Sequence, residues 1–176
     1  MFFKTNDPIP TCAPGATSTP SPIAVDDPIK LNKLIGNFEK ISKKFKTNFL
    51  FPVHPRTEKI IKKLKIKKLD FIKFTKPLIF LDFLALMKYS KIILTDSGGI
   101  QEESSLLGVP CITIRTTTER QITVKNKSNI LTGYSFDKIL KAVDYFNNNK
   151  IKPSTVFGDG KVANIIVNIL KKIVSN

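Results

Sequence analysis

The sequence predicts an α/β fold with a parallel sheet that is covered by helices on both faces. Apolar runs of strand length alternate with segments whose apolar residues recur at helical spacing. The connections are short, and Pro or Gly marks several of the boundaries. Alternating strands and helices favour parallel pairing, because each crossover helix packs back onto the sheet. Ligands of such sheets bind at the carboxyl ends of the strands.

The individual elements follow from these patterns in chain order. Asp26 or Asp27 is a suitable N-cap for a first helix, with Pro28 in its first turn and helical spacing from Leu31 onward. The predicted strands are 49–53, 70–74, 92–95, 111–114 and 130–131. The other predicted helices are 58–64, 80–87, 100–107, 136–146 and 162–174. Residues 116–127 are predicted to form a polar loop.

Residues 1–25 differ in composition from the rest of the chain. Five prolines lie there among small residues without hydrophobic periodicity: Pro8, Pro10, Pro14, Pro20 and Pro22. We therefore expect a disordered or non-native leader over 1–25 and a single domain over 26–176, a size that suits one hydrophobic core.

Composition and charge limit the classes of function. No apolar run approaches the roughly 20 residues of a membrane span, and no secretory signal is evident, so we expect a cytoplasmic protein without a membrane partner. Cys12 and Cys111 are too far apart to indicate a disulfide framework or a zinc site, and neither a metal nor a cofactor is predicted. The net charge of +15 raises the question of nucleic acid, but apolar residues alternate with lysines through the densest run, 62–68, which favours a solvated surface.

The segment 95–103 (TDSGGIQEE) is the most informative part of the sequence. It joins an apolar strand to a helix, and Gly98 and Gly99 let the backbone come close to a ligand. Free N–H groups and the dipole at a helix start favour an anion. Glu103 lies one turn after Gly99 and suits the two hydroxyls of a ribose. The segment predicts a nucleotide site, although a glycine pair is also common in a plain tight turn and this spacing is not that of a P-loop.

Four further residues belong to the same predicted edge of the sheet. Phe83 stacks on a base if it faces the cleft and is core if it faces the sheet, and periodicity favours core. Arg120 either binds diphosphate through its planar fork or is an ordinary loop residue. His54 binds ligand or caps a loop, and we favour the cap. Glu102 should point about 100° away from Glu103 and toward solvent.

Together these segments resemble the non-hydrolysing UDP-N-acetylglucosamine 2-epimerases. The central motif continues into 107–110 (LGVP) and into Arg115 through Arg120, and further similar segments are 52–57, 81–87 and 158–160. The resemblance runs from about Val25 to the C-terminus and covers only the second half of such an enzyme. Gln121-Ile122 and Val156-Phe157 depart from the family pattern.

The resemblance implies a Rossmann-like domain that forms the C-terminal half of a glycosyltransferase-B-type (UDP-glycosyltransferase/glycogen phosphorylase-like) architecture. It implies a binding site in which the diphosphate, the ribose and the base are held by separate residues: Ser97, Gly98, Gly99, Glu103, Phe83, Leu78 and Arg120. The first three would hold diphosphate, Glu103 the ribose, and Phe83 and Leu78 the uracil, while Arg120 belongs to the ligand site. The implied ligand is UDP-N-acetylglucosamine or UDP. A homodimer and a partner chain that supplies the N-terminal half are further expectations.

The reaction implied by the resemblance interconverts UDP-N-acetylglucosamine and UDP-N-acetylmannosamine by elimination and re-addition of UDP. Loss of the C2 proton needs a general base, and the family takes its acid/base carboxylates from the N-terminal domain. A family histidine expected just upstream of Asp26, and the strand that would carry it, are replaced by a segment that reads Pro22, Ile23, Ala24. We therefore expect no catalytic residues in these 176 residues. A non-catalytic nucleotide-binding module, the donor-binding half of a glycosyltransferase and a nucleic-acid-binding protein are the alternatives.

Overall fold

The computed structural model describes residues 2–5, 27–66 and 69–174, and within these ranges the chain forms six strands and seven helices. The strands are β1 (Phe2–Thr5), β2 (Asn48–Pro52), β3 (Ile72–Thr75), β4 (Ile92–Thr95), β5 (Cys111–Thr113) and β6 (Asn129–Leu131). The helices are α1 (Pro28–Phe45), α2 (Pro55–Lys63), α3 (Phe80–Lys88), α4 (Gly98–Leu107), α5 (Gln121–Lys125), α6 (Phe136–Asn148) and α7 (Val162–Val174).

The strands form one sheet in the order β3-β2-β1-β4-β5-β6. The pairs β2–β3, β4–β5 and β5–β6 are parallel, whereas β1 runs antiparallel to both β2 and β4. All strands except β1 therefore point in one direction, and their carboxyl ends lie along one edge of the sheet. The predicted α/β architecture with a parallel sheet is confirmed for these five strands.

Strand β1 differs from the expectation for the leader. Residues 2–5 were expected to lack regular structure, but they occupy the interior position between β2 and β4, with Phe3 opposite both Leu50 and Ile93. The hydrogen-bonding edges of β2 and β4 explain this pairing, because an unpaired edge inside a sheet leaves backbone groups without partners. The rest of the proposed leader lies outside the described residues, and its assignment as a leader stays a prediction.

The sheet separates two hydrophobic cores. Side chains alternate along each strand, so Phe49 and Phe51 enter one core while Leu50 enters the other. The first core is covered by α1, α2 and α6, and the second by α3 and α4. Helices therefore lie on both faces of the sheet, as the alternation of elements predicted.

The helix ends follow local capping chemistry. Asp27 caps α1 by accepting a hydrogen bond from the backbone N–H of Ile29 at 2.9 Å, and Pro28 occupies the first turn, as predicted. Helix α4 ends at Gly108 (φ 69°), a left-handed conformation that favours glycine. Helix α5 lies inside the segment that was predicted to be entirely loop.

Helix α7 has a different environment from the other helices. Its apolar side chains, among them Ile165, Ile169 and Ile173, are about half exposed or more. Across the described ranges, none of the helices combines the length and the hydrophobicity that crossing a bilayer requires.

Candidate functional site

The candidate site lies at the carboxyl edge of the sheet, where β4 passes into α4. Only Asp96 and Ser97 separate the two elements. The turn is fixed by a hydrogen bond of 3.0 Å from the backbone N–H of Ser97 to Oγ1 of Thr95. Thr95 is buried, so this bond ties the turn to the sheet interior. The start of α4 is therefore held rigidly at the edge where the ligands of such sheets bind.

The first turn of α4 presents backbone N–H groups beside uncharged residues. Ser97 is the N-cap, and among the described residues its side chain caps none of the helix N–H groups. The helix begins at Gly98 rather than at Ile100, so both glycines lie inside the first turn. Gly98 is half-buried and Gly99 is exposed. Free N–H groups and the helix dipole favour an anion at such a position, so we call this segment the phosphate seat (Ser97, Gly98 and Gly99) after its predicted ligand.

Arg120 lies directly over the phosphate seat. A Cβ atom built on Gly98 would stand 3.5 Å from Cζ of Arg120 and 3.7 Å from its Nη2. The guanidinium thus contacts the helix start that the sequence predicted to bind diphosphate, although the two are more than twenty residues apart in sequence. The structure therefore brings Arg120 and the phosphate seat together.

The interaction between Arg120 and Glu102 corrects an expectation. Glu102 was expected to point into solvent, but its Oε1 accepts a hydrogen bond from Nε of Arg120, and each side chain is only about a third exposed. Because residues four apart share a helix face, Glu102 lies one turn after Gly98 on the side that Arg120 covers. Within the described part of the chain, Nη1 and Nη2 of Arg120 donate no hydrogen bond to protein. The ion pair with Glu102 therefore engages the Nε side of the guanidinium.

A second ion pair lies in the loop that follows β5. Arg115 donates from Nη1 and Nη2 to the carboxylate of Glu119 at 3.4 and 3.3 Å. A hydrogen bond from its own backbone N–H, followed by the charge of Arg115, lowers the pKa of Glu119. Glu119 is thus the ion-pair partner of Arg115, and Glu102 is that of Arg120.

Glu103 lies one turn after Gly99 and is half-buried. Burial, followed by the charge of the neighbouring Glu102, raises the pKa of Glu103. A carboxylate kept beside another carboxylate and partly removed from water gains from a ligand that donates hydrogen bonds. The position of Glu103 is therefore compatible with the predicted contact to ribose hydroxyls.

Leu78 and Phe83 lie on the same face of the sheet as α4. Both are half-buried and pack against the second core, which α4 also contacts through Ile100 and Leu107. The core contact that periodicity favoured for Phe83 is therefore present, while part of its ring stays exposed. A contact of Leu78 or Phe83 with the base stays a prediction.

His54 has the structural role that was favoured for it. It is the N-cap of α2, and its Nδ1 accepts a hydrogen bond from the backbone N–H of Arg56 at 3.3 Å. The described residues contain no group of three or more His, Cys, Asp or Glu side chains arranged to hold a metal ion.

Comparison with known proteins identifies the family. Residues 22–171 match the family model described as UDP-N-acetylglucosamine 2-epimerase. A UDP-N-acetylglucosamine 2-epimerase of Methanococcus maripaludis is 42% identical over 144 residues, which are 80% of this chain and 39% of the relative. One from Methanocaldococcus jannaschii is 41% identical over 150 residues, 83% of this chain and 41% of the relative. The chain belongs to the UDP-N-acetylglucosamine 2-epimerase family.

Solved structures give the same result for the fold. The crystal structure of the Methanocaldococcus jannaschii UDP-GlcNAc 2-epimerase in complex with UDP-GlcNAc and UDP superposes with a TM-score of 0.77 at 40% identity, covering 85% of this chain and 42% of that chain. The Neisseria meningitidis enzyme bound to UDP-GlcNAc gives a TM-score of 0.70 at 28% identity, covering 85% and 41%. The predicted fold class is confirmed, and the chain spans about two fifths of the length of these relatives.

Proposed function

We propose that this chain binds the UDP part of UDP-N-acetylglucosamine and is the nucleotide-binding portion of a UDP-N-acetylglucosamine 2-epimerase. The observation that carries the proposal is the position of Arg120 over Gly98, at the start of a helix whose first turn is uncharged. One solved relative is a complex with UDP-GlcNAc and UDP and another is bound to UDP-GlcNAc, which supports the choice of ligand.

The residues divide the ligand between them. The N–H groups at the start of α4 and the Nη groups of Arg120 donate to diphosphate oxygens, because both are positive and converge on one point. The carboxylate of Glu103 accepts from the ribose hydroxyls, and Leu78 and Phe83 lie toward the base. Glu102 accepts from Nε of Arg120 and so orients the guanidinium without touching the ligand.

The same donors suit the reaction of the family. Elimination of UDP across the C1–C2 bond of the sugar leaves negative charge on the departing diphosphate, and preorganised donors stabilise such charge in the transition state. Removal of the C2 proton needs a general base in addition, and none of the residues proposed for the UDP site has that role. We therefore propose that a protein of these 176 residues binds UDP-N-acetylglucosamine but does not invert it.

Exchange of the C2 proton tests this proposal directly. The chain is incubated with UDP-N-acetylglucosamine in deuterium oxide, after binding of UDP has been verified by calorimetry, and the sugar is analysed by proton NMR. We expect the C2 proton signal to persist. Deuterium at C2 would show that these residues contain the proton-transfer groups and would overturn the proposed inactivity.

A second proposal is that a separate chain supplies the N-terminal portion of the epimerase. It is motivated by the coverage of only about two fifths of the relatives. Mixing this chain with the N-terminal portion of a related epimerase is then expected to produce turnover that neither shows alone. A homodimer and a cytoplasmic location stay predictions from the sequence.

A further inference from the structure

The side chain of Gln101 connects the turn before α4 with the loop that carries Arg120. It is fully buried in α4, one turn after Ser97. Its Nε2 donates to the backbone carbonyl of Ser97 at 3.3 Å. Its Oε1 accepts from Oγ1 of Thr118 at 2.6 Å and from Nδ2 of Asn129 at 3.0 Å. One side chain thus holds the last residue before α4, the loop after β5 and strand β6.

Thr118 carries the connection to Arg120. Its side chain is nearly buried, and its Oγ1 also accepts a hydrogen bond of 3.0 Å from the backbone N–H of Arg120. An unbroken series of hydrogen bonds therefore runs from Ser97 through Gln101 and Thr118 to Arg120. Its two ends are the phosphate seat and the residue that lies over it.

The series is anchored in the sheet. Oδ1 of Asn129 accepts from Oγ1 of Thr113 on β5 at 2.8 Å, and its Nδ2 also donates to Oγ1 of Thr123 in α5 at 3.1 Å. These side chains are buried, so each polar group needs its partner in place. A fully satisfied buried network favours one arrangement over its alternatives. The distance between the start of α4 and the Arg120 loop is consequently fixed before any ligand arrives.

We propose that Gln101 and Thr118 are positioning residues, which set the Arg120 guanidinium against the start of α4 so that both donate to the same diphosphate. This inference rests on the proposed function, because it assigns the network a role in UDP binding. Neither side chain contacts the ligand itself. A displaced Arg120 would lose much of its effect, since charge-assisted hydrogen bonds depend strongly on distance and alignment.

A double-mutant cycle between Thr118 and Arg120 tests the inference. Thr118→Val removes the hydroxyl and keeps the shape of the side chain. We expect it to weaken UDP binding about tenfold in the otherwise unchanged chain. In the Arg120→Ala background it should change the Kd by less than about twofold, because the residue that it positions is gone. Thr118→Ser, which keeps the hydroxyl, should restore affinity close to the original.

A control on the same helix separates positioning from stability. Ser105 is buried in α4, about two turns after Gly98, and its Oγ lies 3.3 Å from Oγ of Ser128. Ser105→Ala is expected to lower the thermal midpoint while leaving the Kd for UDP unchanged. If Thr118→Val fails to fold, Thr118→Ala removes the same hydroxyl without an added methyl group and takes its place in the cycle.

The outcomes distinguish this inference from the proposed function. If the original chain binds UDP and Thr118→Val weakens UDP binding equally in both backgrounds, the role of Thr118 is structural only. That result would overturn the inference. Unchanged affinity in Thr118→Val would do the same. A folded original chain without affinity for UDP would overturn the proposed function, and the inference with it.

Discussion

Arg120 covers Gly98, and a methyl group on Gly98 would stand 3.5 Å from Cζ of the guanidinium, an ordinary van der Waals contact. Gly99, the next residue, has open space around it: beyond its chain neighbours and the nearby backbone of its own helix, no described protein atom lies within 4 Å of an added methyl group. The two glycines therefore differ in what they face. Gly98 faces an arginine of the same chain, and Gly99 faces open space.

Gly99→Ala should make the fold more stable and the binding of UDP weaker. Alanine in a helix is favoured over glycine by up to about 1 kcal/mol, and the protein offers room for the methyl group. That methyl group would, however, hold a diphosphate away from the amides, and we expect the Kd for UDP to rise about tenfold or more. Urea unfolding and calorimetric titration measure the two effects.

Gly36→Ala is the matched control for this change. Gly36 lies inside α1, and beyond its chain neighbours and the nearby backbone of its own helix an added Cβ likewise has no described atom within 4 Å. It should stabilise the fold similarly and leave UDP binding unaltered. Equal binding by Gly99→Ala and Gly36→Ala would argue against a ligand at the start of α4.

Arg120→Lys should weaken UDP binding about tenfold with little change in stability. Lysine keeps the charge but has no planar fork, so it cannot pair with Glu102 and a diphosphate in the same geometry. The ion pair itself is one-third exposed and contributes modestly to folding. Arg115→Lys provides the comparison, because Arg115 is also paired with a glutamate at this edge. Unchanged affinity in Arg120→Lys would indicate general electrostatic attraction rather than a defined contact, and equal losses from both variants would show that the effect is not specific to Arg120.

Glu103→Gln should stabilise the ligand-free protein at neutral pH while weakening UDP binding. The pKa of Glu103 is raised in the folded state, so folding favours its protonated form. The stability that Glu103 contributes in this way is present in full below its ordinary pKa of 4.5. It is lost as the pH rises through the folded-state pKa. The stability gained by Glu103→Gln should therefore be largest at neutral pH and shrink as the pH falls toward that ordinary pKa. Urea unfolding across the range from mildly acidic to neutral pH measures this trend, and the opposite trend would refute the assigned direction.

Gly108→Ala should destabilise the fold severely. Gly108 has a φ of 69°, and a Cβ there would lie 2.6 Å from the backbone nitrogen of Pro153. Left-handed strain costs about 1–2 kcal/mol, and the collision with backbone adds to it. Gly133→Ala is the control, because its φ of 56° carries the strain while its nearest neighbour, Cγ2 of Thr116, is 3.5 Å away. Equal losses in the urea midpoint would mean that Pro153 does not confine Gly108.

Local patterns predicted most of the elements that build the site. Helix α1 combines an N-cap, a proline in its first turn and apolar residues at helical spacing, and all three signals are local. Helix α5 was missed because five residues give too short a window for periodicity. Strand β1 was missed because the prolines that follow it dominated the composition of the segment.

The chemistry of the site was predicted in part. The strand–glycine–helix pattern predicted the turn between β4 and α4 that the structure has, and Arg120, a candidate from its own chemistry and from the resemblance, lies beside it. The pairing of Arg120 with Glu102 joins residues 18 apart, and the bonds of Gln101 reach residues 17 and 28 away. Such contacts depend on which strands become neighbours in the sheet, and no local pattern contains that information.

Calorimetric titration of UDP into the folded chain tests the central claim most directly. Saturable binding is expected, with the affinity reduced by Ser97→Ala at the phosphate seat and by Glu103→Ala one turn after Gly99. A protein shown by circular dichroism to be folded, yet producing no heat of binding at millimolar UDP, would contradict the claim.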